Sequence, residues 1–542
     1  AGLAAQAGPR LRTAFVPAAL GGTLEALDAT LMLVRTAARR DAAIMPATMF
    51  GITAATCVLI AGSRRQCEHV VDLLREGGSL GFALSEADHG SDLLANDTRA
   101  EEVPGGYALT GEKWLVGLGG RCDGLLVVAR TGGRGPAAFS ALLLDGEQAA
   151  ATRRDTRRPT GMRGADLAGF RFDGLTVPRE ALVGGVGRGL ETAMKAMQVV
   201  RTMSTAANLG CADTGLRLTL DFAAAHVVAG RTALAHPGVR RDLATAAALL
   251  LAADAVALTT ARGLHTLPAA QSLWSSVAKK VLTDTCEEAL ARCADVLGSR
   301  GVLRDGPYAA FDTLRRDNLV VRHIDTSPTA NLRLVAAHFA RLTAAPPATG
   351  AGPDTADGFP GTLARTCTLS ESLPEPDLDR LALSDRGADP VLSAVPALAA
   401  RAREVLEKTD ERRAAQAVTR LERAASWLGH ALRARRGADP LRDQDLAARL
   451  CWVHAAASCL LLWWHNRDHR LYDAPAGDPG WLTAALTVLT ARAAGRPSPL
   501  PEEDAEAVLA TVLPLHEADR LFSAAALPLA HGGPAPAPGA SA

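Results

Sequence analysis

Apolar residues recur at helical spacing in LEALDATLMLVRTAARR (24–40) and CEHVVDLLREG (67–77), which predicts helices over 14–80, closed by Gly77-Gly78. From Gly81 to Val183 the pattern changes to short apolar runs cut by glycine, as in GFALSE, GYALTGEKWLVGLGG, FSALLLD and GFRFDGLTV. Short alternating runs between turn residues predict antiparallel β structure. Helical periodicity resumes from Gly189 to Leu342, in segments such as RRDLATAAALLLAADAVALTTARGL. Residues 343–361, TAAPPATGAGPDTADGFPG, are rich in Pro, Gly and Ala and read as a linker. Residues 362–392 show no clear period, which predicts an extended run over a surface. A second helical block covers 393–531, and the tail GGPAPAPGASA reads as disordered.

The expected fold class is mainly α with a central β domain. Its expected parts are an N-terminal helical domain (1–80), an antiparallel, β-barrel-like middle domain (81–183) and a helical bundle (184–342). A linker and extended segment (343–392), an accessory C-terminal helical domain (393–531) and a disordered tail (532–542) follow. A chain of 542 residues exceeds what one core usually holds, which fits several packing units.

Lys+Arg and Asp+Glu both number 58, so the formal charge is zero. That balance lacks the broad positive field of a non-specific nucleic-acid binder and argues against a nucleic-acid partner. Five of the 58 basic residues are lysine; with so much alanine, this reads as codon bias and not as a choice of phosphate-binding forks. Aromatics reach 4%, so the core must come from Leu, Val and Ala, which favours helices. The nine cysteines are scattered without a C-x-x-C pair and read as reduced core thiols, with no metal site. No charged-then-apolar segment opens the sequence. The strongest apolar run, Trp452 to Trp464, contains His454 and falls short of the roughly 20 residues that cross a bilayer. The expectation is a soluble, cytoplasmic protein with no membrane partner.

Phe82-Ala-Leu-Ser-Glu-Ala-Asp-His-Gly-Ser-Asp92 offers backbone N–H groups and small hydroxyls with no bulk at Gly90. Such a loop can lie against a flat hydrogen-bonding ring or a phosphate, although an ordinary strand-to-turn connection reads the same way. Further on come Gly106-Tyr-Ala-Leu-Thr-Gly-Glu-Lys-Trp114, Gly161-Met-Arg-Gly-Ala-Asp166, Phe172-Asp-Gly-Leu-Thr-Val-Pro178, Leu297-Gly298 and Arg316-Asp317. In kind and order, over roughly residues 12–342, these segments resemble the FAD-dependent acyl-CoA dehydrogenases and oxidases.

The resemblance implies FAD as cofactor. It places Phe82, Leu84, Ser85, Gly90, Ser91, Leu115, Gly117, His226, Gly298, Ser327 and Thr329 around it, with Ser91 and Arg201 toward the acyl thioester. It also implies a homodimer or homotetramer with FAD at a subunit boundary. Trp114 reads as core. Four positions depart from the pattern. Gly117 stands where the family has a Ser/Thr hydroxyl near flavin N5, and His226 where an arginine often reaches the FAD pyrophosphate across the dimer. Asp295 replaces a glutamine, and Ser299 a glycine. A carboxylate repels a pyrophosphate, so Asp295 cannot make that contact unchanged.

The family's catalytic glutamate follows the Arg-Asp pair by eight residues; here that position is Asp325, in His323-Ile-Asp-Thr-Ser-Pro328. Some members carry the base one residue before the arginine at 201, but Val200 cannot serve. An aspartate before Thr-Ser-Pro also reads as a helix-entry cap. The activity implied is α,β-dehydrogenation of an acyl thioester, on CoA or acyl carrier protein, in lipid or secondary-metabolite tailoring. The electron acceptor would be an electron-transfer flavoprotein or, in an oxidase, O2. The competing reading is a redox-inactive flavoprotein scaffold similar to the family's DNA-damage-linked branch, marked by a basic face on the C-terminal domain. The arginines of 430–450 are interleaved with aspartates and read as a solvated helix face.

Overall fold

A computed structural model describes residues 11–344, 361–384 and 389–530. Nearly all of the expected linker, and the tail from 532, lie outside the described residues. The first layer is helical: α1 Leu27–Ala38, α2 Ile44–Ala61 and α3 Arg64–Arg75. α3 opens on a capping box in which Ser63 and Gln66 satisfy each other's backbone N–H groups.

The middle layer holds β1 Leu80–Ala83, β2 Arg99–Val103, β3 Gly106–Gly117, β4 Gly124–Arg130 and β5 Phe139–Asp145. After α4 Gly146–Thr152 come β6 Arg153–Arg157, β7 Leu167–Pro178 and β8 Leu182–Val183. The eight strands form one sheet in the order β6-β7-β3-β2-β4-β5-β8, with β1 added on β4. Leu109, Leu125, Val127, Leu142, Phe170 and Phe172 form a core belonging to this sheet alone. The pairing is not wholly antiparallel as expected. β1 runs parallel to β4, with Leu80 opposite Gly124, and Arg99 of β2 bridges Arg130 in parallel. β1 arrives from the helical layer through Gly77-Gly78 and not from a hairpin, so nothing forces it antiparallel.

The bundle is α5 Gly189–Ala225, a β9 Val227–Val228/β10 Arg231–Thr232 hairpin, α6 Pro237–Thr266, α7 Gln271–Leu297, α8 Ala310–His323, α9 Pro328–Ala336 and α10 Phe339–Ala344. Beyond it lie α11 Gly361–Cys367, α12 Pro390–Lys408, α13 Arg412–Arg433, α14 Pro440–His465, α15 Gly480–Ala493 and α16 Glu502–Glu517. The expected extended run therefore begins as a helix. The buried Arg262 donates to the carbonyls of Arg365, Thr366, Thr368 and Glu371 and gathers the end of α11 with the strap that follows.

α6 and α14 are each long and apolar enough to cross a membrane, and both are buried inside the protein. α14, α15 and α16 pack on α6, so the C-terminal helices share one continuous apolar core with the bundle. A buried charge cluster ties the last segment in. Arg35 pairs with Asp254 and Asp213 and donates to the Phe522 carbonyl, while the Phe522 and Ala524 N–H groups donate to Asp213 and Asp254.

Candidate active site

The loop leaving β1 is built on a buried ion pair. Lys113 Nζ donates to Glu86 Oε1 at 2.8 Å, and Glu86 also accepts the N–H groups of Asp97 and Thr98. Burial alone would raise the Glu86 carboxyl, but the Lys113 charge and these hydrogen bonds outweigh it and hold it below its ordinary value. The Leu84 carbonyl accepts from Asn96 and Lys113, and the Ser85 carbonyl accepts from the Trp114 N–H. With both carbonyls engaged, this loop offers a ligand its N–H groups and the Ser85 hydroxyl. A Cβ built at Gly90 meets nothing within 4 Å, so the loop is open there. Phe82, opposite Leu126 in the β1–β4 ladder, is half-buried.

β3 breaks register with β7 between Lys113 and Val116, and Leu115 takes a φ of 51°. Trp114 lies on the outward face of the strand, and the irregularity turns Leu115 outward beside it, at 39% and 38% exposure. The expectation that Trp114 is core is thus corrected: Lys113 before it is buried, so period-two alternation already faces Trp114 outward. At Gly117 an added Cβ would fall 1.9 Å from Cδ2 of Phe50, which α2 brings against the strand.

The carboxylate lies on the α8–α9 connection. Asp317 accepts the Met162 N–H, and a Cβ at Gly161 would stand 2.1 Å from the Arg316 carbonyl, so the 161–166 turn and the Arg-Asp pair meet directly. Asp325 has a φ of 65°, a costly conformation that persists only where its surroundings over-determine it. Ser204 Oγ donates to its Oδ2 at 3.1 Å, and Lys279 Nζ lies 3.8 Å from the same oxygen. Lys279 also donates to the Val321 and Ile324 carbonyls, and burial brings its ammonium down to about 8. Arg201 donates to the hydroxyls of Thr326, Ser275 and Ser276; burial pulls its guanidinium below the ordinary value. The helix-entry cap is Ser327, whose hydroxyl accepts from the Ala330 N–H, which removes the cap reading of Asp325. Ser327 Oγ lies 3.4 Å from Ser91 Oγ.

Ser91, Arg201, Asp325 and Ser327 therefore come together, with Thr329 in the first turn of α9 beside them. His226 and Gly298 do not join them. His226 caps α5 25 residues beyond Arg201, roughly 37 Å along the axis at 1.5 Å per residue. It stacks on Phe222 at 4.7 Å, and Arg300 from the turn after Gly298 covers that ring at 5.2 Å, so these two positions form a second locus. Asp295 is exposed on α7. Sequence reasoning missed Ser204, Ser275, Ser276 and Lys279. Only Lys279 left a signal: it is one of five lysines in the sequence.

Residues 81–175 match the acyl-CoA dehydrogenase middle domain, and residues 187–338 match the acyl-CoA dehydrogenase C-terminal domain. An acyl-CoA dehydrogenase of Bacillus subtilis is 29% identical over 267 residues, covering 49% of this chain and 69% of that protein. The chain spans 66% and 56% of the lengths of two further curated relatives. Among solved structures, butyryl-CoA dehydrogenase from Megasphaera elsdenii is similar with a TM-score of 0.57 at 20% identity, covering 61% of this chain and 87% of that one. The prolyl acyl carrier protein oxidase AnaB is similar with a TM-score of 0.56 at 20% identity, covering 62% and 89%. At these identities the structural likeness speaks for the fold.

Proposed function

Because residues 81–338 belong to the acyl-CoA dehydrogenase family, whose members use FAD, we propose that this protein removes the α and β hydrogens of an acyl thioester, with Asp325 as the base. The chain's own residues fit that cofactor at the loop. Gly90 is open, Trp114 and Leu115 offer an exposed apolar wall, and Ser91 faces Ser327. They depart from the family at Gly117, where Phe50 takes the side-chain space. FAD bound there supplies the acceptor for the β-hydride. The N–H groups of Leu84 and Ser85, with the Ser91 and Ser327 hydroxyls, would hold it.

Asp325 takes the α-proton. That proton is acidic once the thioester carbonyl is polarised by hydrogen bonds, and the product is the α,β-unsaturated thioester. Ser204 and Lys279 hold the carboxylate in place on its loop, with Ser204 Oγ donating to Oδ2 and Lys279 Nζ 3.8 Å from the same oxygen. The observation that carries this reading is the 3.4 Å approach of Ser91 to Ser327, which sets the cofactor loop against the loop of Asp325. His226 and Gly298 lie too far along the bundle to serve the same cofactor, which supports a dimer or tetramer in which they face FAD of a neighbouring subunit.

The likeness to AnaB supports a substrate carried on acyl carrier protein as well as on CoA, in a biosynthetic tailoring step. The acceptor is an electron-transfer flavoprotein or O2. All nine cysteines are free and buried, which supports a cytoplasmic setting. The scaffold reading is less well supported, since on 430–450 Arg435 pairs with Asp443 and Arg449 with Asp445. The test is anaerobic mixing of the yellow protein with acyl thioesters. Bleaching of the flavin is expected, and no bleaching with CoA or carrier-protein thioesters would favour the scaffold.

A further inference from the structure

A cavity of about 790 Å³ opens among the C-terminal helices, lined by α13, α14 and the end of α15. Arg413, Arg420, Arg423 and Trp427 reach it from one face of α13, at steps of seven, three and four residues. Arg449 of α14 and Arg496, just beyond α15, also line it. The cavity belongs to a different helical layer from the Asp325 loop: α13 packs on α14, and α14 packs in turn on α7 and α9.

Two of these five arginines are neutralised in place. Asp504, the acidic residue in the wall, is 2% exposed and pairs with Arg413, as does Glu503. Arg449 pairs with Asp445 and donates to the Ala493 carbonyl at the end of α15. Arg420 Nη2 donates to Thr487 Oγ at 2.9 Å, and that hydroxyl stands 3.0 Å from Asp504 Oδ2, which orients the guanidinium without neutralising it. Arg420, Arg423 and Arg496 have no carboxylate partner among the described residues. Arginine is common throughout this chain; these three are set apart by sharing one cavity without a counter-charge. The rest of the wall is apolar, with Ala424, Ala491, Ala494 and Pro501. Arg449 covers the Trp427 ring at 4.9 Å and holds the half-exposed indole at the cavity edge.

We propose that this cavity binds a free nucleoside diphosphate, with its phosphates on Arg420, Arg423 and Arg496 and its base against Trp427 and the alanine wall. A terminal phosphate carries about −1.5 to −2 charges near pH 7 and a second phosphate adds to it, which matches three unpaired guanidiniums. The guanidinium fork takes phosphate oxygens in pairs. A single carboxylate would leave most of this positive charge unmatched. The volume falls within the roughly 300–1,000 Å³ of small-molecule sites and far exceeds what a bare phosphate fills, so the ligand has an organic body. A flat base suits an aromatic edge, because every base has a face that stacks.

The test is calorimetric titration of the FAD-loaded holoprotein, whose cofactor site is already filled, with ADP, adenosine and inorganic pyrophosphate. One ADP per chain is expected, with adenosine and pyrophosphate each at least tenfold weaker, since each meets only part of the site. Arg420→Gln/Arg423→Gln should weaken ADP at least tenfold. Both side chains are exposed, so flavin content and far-UV circular dichroism should stay as in the wild type. Trp427→Ala should weaken ADP and leave pyrophosphate unchanged. Saturating butyryl-CoA should not displace ADP. Absence of ADP binding, pyrophosphate as tight as ADP, an unchanged ADP affinity in either variant, or displacement by butyryl-CoA would overturn the proposal.

Discussion

The ring of Phe50 stands where a side chain at Gly117 would be: a Cβ added at 117 would lie 1.9 Å from its Cδ2. The absent hydroxyl and the helical phenylalanine are one local solution, in which α2 approaches the strand closely because position 117 has no side chain. Gly117→Thr should therefore destabilise the protein by about 1–3 kcal/mol through overpacking. Phe50→Ala should relieve much of that cost, with a coupling of at least about 0.5 kcal/mol in a double-mutant cycle followed by urea unfolding. Additive effects would mean that the two residues do not share this space.

Asp325→Asn should leave flavin content and thioester binding unchanged and slow flavin reduction about 10²–10⁴-fold, the usual loss for a general base. Asp325→Glu lengthens the side chain by about 1.5 Å and should retain part of the rate. Rapid-mixing reduction measures both, and a wild-type rate in the Asn variant would move the base elsewhere.

Burial lowers Lys279 from 10.5 to about 8. The unfolded chain therefore binds more protons than the folded one between those values. The stability cost of burying this ammonium is full below about pH 8 and is relieved as pH rises toward 10.5. Wild type should gain stability relative to Lys279→Met across that window. Urea midpoints at pH 8 and 10 read the difference, and a wild-type midpoint that fails to rise relative to that of Lys279→Met would contradict it.

Gly90→Leu puts bulk into the open space of the cofactor loop. It should purify with little flavin while keeping its far-UV circular dichroism. Full flavin occupancy would show that the loop lies away from the cofactor.

Arg35→Met leaves Asp254 buried without its cation and should cost about 3–5 kcal/mol, as breaking a buried pair does. A melting temperature equal to wild type would show that the C-terminal segment is not anchored through this residue.

Much of the architecture could be read from the sequence because it is written locally. Apolar spacing marks α1, α3, α6 and α14, and turn residues punctuate the strands. Motif order placed Ser91, Arg201, Asp325 and Ser327 before any contact was visible. Tertiary structure decided what surrounds them. Ser204 and Lys279 reach Asp325 from 121 and 46 positions away in the chain, and no periodicity links such residues. The outward turn of Leu115 depends on a bulge against β7, and the left-handed backbone at Asp325 depends on the groups packed around it. The C-terminal helices read as an accessory unit because alanine-rich apolar faces look alike in sequence. Which face buries which is a matter of shape and buried charge, settled only when Arg35 meets Asp213, Asp254 and the backbone of Phe522.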